Sequence, residues 1–126
     1  MRRDGRPVFL NLLQIRLPIP GVVSIAHRIS GVLLFLAIPV FLLLFQRSMQ
    51  GEAGFAQTLT WLQNPLVMLM TLVVVWSLLH HWLAGIRYLF IDLDVGVERM
   101  AARRTAWVVL VLAPVLTLIL LGVLWL

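Results

Sequence analysis

The stretch that decides the fold is Pro65–Ile91, which carries His80-His81-Trp82-Leu83-Ala84-Gly85-Ile86-Arg87 near its end. The stretch is mostly apolar, and about 20 such residues cross a bilayer as a helix. Ionisable side chains inside a membrane are costly, so their presence indicates function. Two histidines and an arginine therefore predict a transmembrane helix with a functional site toward one end.

The two adjacent histidines of this helix cannot face the same way, because consecutive helical residues point about 100° apart. One of them can face a protein-lined site while the other faces elsewhere. The residues predicted to share the face of His81 are Ser77, Ala84, Gly85 and Tyr88. The small side chains among them leave room for a flat group or a close helix neighbour.

The composition indicates a membrane protein with one domain over residues 1–126. The chain is 62% hydrophobic and has a mean hydropathy of +1.03, values far above those of a small soluble domain. It contains no cysteine, which excludes disulfides, thiol catalysis and iron–sulfur ligation by this chain. The net charge of +5 comes from arginines lying mainly between apolar segments. Membrane topology explains them better than a nucleic-acid partner does.

Hydropathy predicts a cytoplasmic lead over 1–20 and transmembrane helices over about 21–46, 65–91 and 105–126. The first apolar run is too long for a signal peptide and lacks a clear cleavage site, so we expect a retained helix. Asn64-Pro65 predicts an N-cap followed by the first helical residue, which starts the second span.

The distribution of arginines predicts the orientation of these helices. Four arginines precede the first span, one lies in the polar connector over 47–63, and three lie in the connector over 92–104. Basic residues favour the cytoplasmic side. We therefore predict an all-α membrane protein with its N-terminus inside, its C-terminus outside, and a partner anchor subunit beside it.

The polar groups of the first two spans are predicted to lie in the same half of the membrane. Ser24, His27, Arg28 and Gly31 share one helix face by their i, i+3, i+4, i+7 spacing. At about 1.5 Å per residue, this stripe lies at a depth similar to those of His81 and Arg87, measured from the inner side. A polar stripe confined to one end of a span is expected to face protein or a cavity.

Several uses of these groups are open from the residues alone. A deep imidazole with guanidinium groups nearer the water suits a haem held edge-on, with its iron on the imidazole. Ser24 and Arg28 also suit hydrogen bonding to a quinone carbonyl. A transmembrane histidine can instead bond only a neighbouring helix, and Arg28 or Arg87 can snorkel to the interface. A proton or ion transporter with His81, Arg28 and Asp92 as a relay is a separate hypothesis.

Two motifs resemble those of the cytochrome b membrane-anchor subunit of succinate dehydrogenase. Ser24-Ile25-Ala26-His27-Arg28-Ile29-Ser30-Gly31 matches S-I-x-H-R-x-S-G, and His81-Trp82-Leu83-Ala84-Gly85-Ile86-Arg87 matches H-x-x-x-G-I-R. Arg6-Pro7 precedes them and Asp92 follows them, so the resemblance covers essentially the whole chain. Tyr88 is a departure, because the family often has histidine there.

The resemblance implies one of two small anchors of succinate:quinone oxidoreductase, the respiratory complex II of the tricarboxylic acid cycle, in the bacterial inner (cytoplasmic) membrane. It implies one haem b shared with the second anchor, with His81 as axial iron ligand and with His27 and Arg28 near the propionates. It places Ser24 and Arg28 at the site of the quinone substrate.

By the same resemblance, the chain docks the flavoprotein and iron–sulfur subunits and contributes no catalytic residue to succinate chemistry. Two further alternatives stay open beside the transporter. One is an anchor of a fumarate reductase, in which electrons flow the other way. The other is a purely structural anchor that holds no haem.

Overall fold

The computed structural model describes residues 17–125. Its helices are α1 (Ile19–Ser48), α2 (Glu52–Leu62), α3 (Pro65–Asp92) and α4 (Arg99–Trp125). By length and composition, α1, α3 and α4 can each cross a membrane, which confirms the predicted all-α membrane fold with three spanning helices. Most of the predicted lead (1–16) and Leu126 lie outside the described residues. The single domain over 1–126 stays a prediction.

Proline and asparagine explain where the first two spanning helices begin. Pro18 precedes α1 with an extended backbone, and Pro20 lies in the first turn, where a missing N–H leaves no hydrogen bond unmade. Asn64 caps α3 by accepting a hydrogen bond from the backbone N–H of Leu66 at 2.9 Å, and Pro65 follows as the first helical residue. The start of α3 predicted from Asn64-Pro65 is confirmed.

The connector between the first two spans contains the helix α2, where only a polar connector is predicted. Its 11 residues extend about 16 Å. This length cannot cross a bilayer core of about 30 Å. Glu52 lies in its first turn, where a negative charge stabilises the helix dipole. Arg47 at the end of α1 donates to Gln57 Oε1 at 2.8 Å and so ties α2 to α1.

Small side chains let the three spanning helices pack closely around a narrow core. Its members are Val23 on α1, Ala84 on α3, and Ala106 and Val109 on α4. Short side chains allow close approach of helix backbones, which favours association in a membrane. Many large apolar side chains point outward instead, and Phe35 on α1 is 71% exposed. Such a surface needs lipid or a partner subunit to cover it.

Arg87 joins α3 to the start of α4. Its side chain is only 7% exposed. Nε donates to Thr105 Oγ1 at 3.1 Å and Nη2 donates to the carbonyl of Ala102 at 3.1 Å. The guanidinium therefore holds two helices together and does not snorkel to the interface.

Candidate functional site

The structure brings the two sequence motifs together as a pair of stacked imidazoles. The rings of His27 on α1 and His81 on α3 lie with their centroids 4.0 Å apart and their planes 12° apart. Tyr88 meets His27 edge to face at 5.3 Å between ring centroids. Side chains predicted only to share a membrane depth are thus in direct contact.

A glycine on each helix faces the histidine of the other. A Cβ atom added at Gly31 would lie 3.0 Å from Cε1 of His81, and one added at Gly85 would lie 3.8 Å from Nε2 of His27. In both motifs the glycine follows its histidine by four residues, one helical turn. Because His27 meets Gly85 while Gly31 meets His81, α1 and α3 run antiparallel, and the two histidine–glycine pairs fit together reciprocally.

The inner edge of the His81 ring is held by two oxygen atoms of α1. Its Nδ1 lies 3.0 Å from the carbonyl oxygen of His27 and 3.2 Å from Ser30 Oγ. The Ser30 hydroxyl is fully buried and donates to the same carbonyl at 2.8 Å. Ser30 was not predicted to contact His81, although it lies one turn after His27 and directly before Gly31.

His80 is the more deeply enclosed of the adjacent histidines. Its side chain is 0% exposed, and neither ring nitrogen has a hydrogen-bond partner within the described part of the chain. His81 is half-buried. A ligand from outside the chain can therefore reach His81, but it cannot reach His80 unless the helices separate.

The buried side chains of α3 lie along one side of the helix. They are Ser77, His80, Ala84 and Arg87. Ser77 and Ala84 are each three or four residues from both histidines, so they lie between the directions of His80 and His81 around the helix. Their sharing of the His81 face stays a prediction.

Ser24 and Arg28 lie on the outside of the chain, one turn apart on α1. Ser24 is half-buried and Arg28 is exposed, so their polar atoms are available to a ligand or to another subunit. Ser24 precedes His27 by three residues, and Arg28 follows it directly. A polar group bound there would contact α1 at the same end of the bundle as the imidazole pair.

Several arginines lie at the end of the bundle where α1 and α4 begin. Pro18, directly before α1, and Pro20 in its first turn line one pocket with Arg99 and Arg103 of α4. Both helices therefore begin at the same end. Arg28 lies in the first third of α1 and adds its charge there. Arg47 lies at the opposite end of α1.

These features define a small membrane subunit with three spanning helices and a histidine pair toward its arginine-rich end. The family described as succinate dehydrogenase/fumarate reductase transmembrane subunit matches residues 2–120 of the chain. The chain belongs to this family, which confirms the resemblance predicted from the two motifs.

Relatives of nearly the same length carry one name, succinate dehydrogenase cytochrome b556 subunit. The protein of Coxiella burnetii is 34% identical over 86% of this chain and 87% of its own length. That of Paracoccus denitrificans is 30% identical over 94% of both chains. That of Rickettsia felis is 31% identical over 93% of this chain and 91% of its own length. The chain is thus a membrane-anchor subunit related to parts of an enzyme complex.

Proposed function

We propose that this chain is the haem b- and quinone-binding anchor of a succinate:quinone oxidoreductase, with His81 as an axial ligand of the haem iron. The observation that carries the proposal is the way α1 holds the His81 ring. Nδ1 faces the carbonyl of His27 and the hydroxyl of Ser30, an arrangement that orients metal-binding imidazoles in proteins. The half-buried ring leaves its other nitrogen for a ligand.

The surrounding residues fit a haem. His81 of this chain would bind the iron, and the second anchor would supply the other protein ligand. Arg28 is an exposed cation at the same end, and His27 stacks on His81; both could pair with the negatively charged propionates. When bound, a haem supplies a one-electron carrier whose potential depends on its ligands, burial and hydrogen bonds.

The half-buried Ser24 and the exposed Arg28 on α1 support a quinone site. The Ser24 hydroxyl would donate a hydrogen bond to a quinone oxygen, and the Arg28 guanidinium would stabilise the negative charge that develops there on reduction. Donors already in place stabilise such charge without reorganisation. The electrons would come from succinate through the flavoprotein and iron–sulfur subunits, so this chain would bind and polarise the acceptor without touching succinate.

The charge distribution supports an orientation in the membrane. The arginine-rich end would face the cytoplasm, with the N-terminus inside, the C-terminus outside, and the iron–sulfur subunit docked there. The second anchor would cover part of the exposed apolar surface, in a bacterial inner membrane like those of the relatives' organisms. The names of those relatives favour succinate oxidation over fumarate reduction.

Haem quantitation on the purified complex tests this function. We expect one haem b for each flavin in the complex, together with a b-type absorption band that appears on reduction. Succinate-dependent quinone reduction should accompany it. A complex that reduces quinone without any haem would support the structural-anchor alternative and overturn the assignment of His81.

The close approach of Gly31 to His81 makes a steric prediction. In Gly31→Ala the new methyl group would lie 3.0 Å from His81 Cε1, so the ring must shift by a few tenths of an ångström. Such overpacking costs about 1–3 kcal/mol, and we expect haem affinity to fall by a corresponding factor of about 5 to 150. The haem-to-flavin ratio of the purified complex measures it.

The matched control for this variant is Gly122→Ala on α4. Among the described side chains and backbone, a Cβ atom there would meet nothing within 4 Å, so we expect the haem content of the unmodified complex. Full haem content and an unchanged spectrum in Gly31→Ala would contradict the packing of His81 against α1.

A further inference from the structure

Ser30 has an orientation that its burial and its partners determine. The side chain is 0% exposed, so water does not compete for its hydroxyl. Its proton points to the carbonyl of His27, 2.8 Å away. The hydroxyl oxygen is then left with lone pairs, and His81 Nδ1 lies 3.2 Å from it.

The two oxygens near His81 Nδ1 determine which nitrogen of that ring carries the proton. The carbonyl of His27, 3.0 Å from Nδ1, can only accept a hydrogen bond. The Ser30 O–H already donates a hydrogen bond to that carbonyl. Toward Nδ1 the Ser30 oxygen can therefore only accept a hydrogen bond. Nδ1 must therefore be the protonated nitrogen of the neutral ring. Nε2 is left with the free lone pair that a metal requires.

We propose that Ser30 is a positioning residue for the haem ligand: with the His27 carbonyl it fixes the tautomer and rotation of His81, so that Nε2 binds the iron. This inference rests on the proposed function. Because hydrogen-bond acceptors at the distal nitrogen raise the basicity of an imidazole ligand, Ser30 also favours the oxidised iron. The hydroxyl thus sets part of the haem potential although it does not touch the haem.

The test is a redox titration of haem b in the complex carrying Ser30→Ala. The carbonyl of His27 remains in this variant, so we expect haem to be retained and its midpoint potential to rise. A 10-fold loss of preference for oxidised iron corresponds to a rise of about 59 mV for a one-electron couple. Ser30→Thr keeps a hydroxyl that can bond the preceding helical turn and should restore the original potential.

Ser77→Ala is the matched control. Ser77 is also 0% exposed, but its hydroxyl has no hydrogen-bond partner within the described residues, so its loss should leave the potential unchanged. If Ser30→Ala does not assemble, Ser30→Cys keeps the volume, weakens the hydrogen bond and should raise the potential in the same direction.

The outcomes separate this inference from the proposed function. An unchanged potential in Ser30→Ala, or an equal rise in Ser77→Ala, would overturn the role of Ser30 while leaving His81 as the ligand. Two other results would instead overturn the proposed function itself. One is an unmodified complex that contains no haem, and the other is a His81→Leu complex that keeps its haem.

Discussion

Replacing His81 with leucine is expected to remove the b-type absorption band from the purified complex, while replacing His80 with leucine leaves it. Loss of a residue that only orients a metal ligand typically costs about 10- to 100-fold in affinity, so loss of the ligand itself should exceed that. His81 is the half-buried histidine with its Nδ1 held by α1. The measurement is the reduced-minus-oxidised spectrum with haem quantitation.

The His80→Leu variant tests which of the two adjacent histidines binds the haem iron. His80 is fully buried, and within residues 17–125 neither of its nitrogens has a hydrogen-bond partner. An apolar side chain of similar size can replace an unpaired polar group at little cost. We therefore expect His80→Leu to assemble and to keep its haem. If the band survives in His81→Leu and disappears in His80→Leu, the two histidines are assigned the wrong way round.

Replacing Arg28 with leucine is expected to lower quinone reduction about 100-fold, the usual cost of removing one donor to a developing charge. Ser24→Ala removes a neutral hydrogen bond worth about 1 kcal/mol, so we expect a smaller loss. Both variants should still oxidise succinate with an artificial electron acceptor, because the proposed function places the succinate site in another subunit. The ratio of the two activities is the measurement.

Arg47→Leu is the control for the quinone prediction. Arg47 is an arginine of the same helix, but it lies at the opposite end and bonds Gln57 of α2. Its loss should leave both activities unchanged. An equal fall of quinone reduction and of artificial-acceptor activity in Arg28→Leu would argue for a general assembly defect and against a quinone role.

The spanning helices could be predicted because long apolar runs and helix caps are local features of the sequence. The start of α3 is an example, since Asn64 and Pro65 supply the cap without help from the rest of the fold. The motifs likewise brought His27 and His81 into one hypothesis before any contact was known. Their common membrane depth followed from the rise per residue of a helix.

The features that escaped prediction depend on tertiary packing. The partners of Arg87 lie on α4, beyond the connector, and no spacing rule within α3 points to them. That His80 is more buried than His81 depends on how the neighbouring helices pack against α3. The role of Ser30 needs the antiparallel approach of α1 and α3, which places a hydroxyl 51 residues away in sequence beside the His81 ring.

The most direct measurement is a cryo-electron microscopy map of the assembled complex. The central claim is that α1 holds Nδ1 of His81 so that the opposite nitrogen is free to bind iron. We predict a porphyrin bonded through Nε2 of His81, with Nδ1 still facing Ser30 and the carbonyl of His27. A porphyrin held by other residues of this chain, or a His81 ring turned toward lipid, would contradict it.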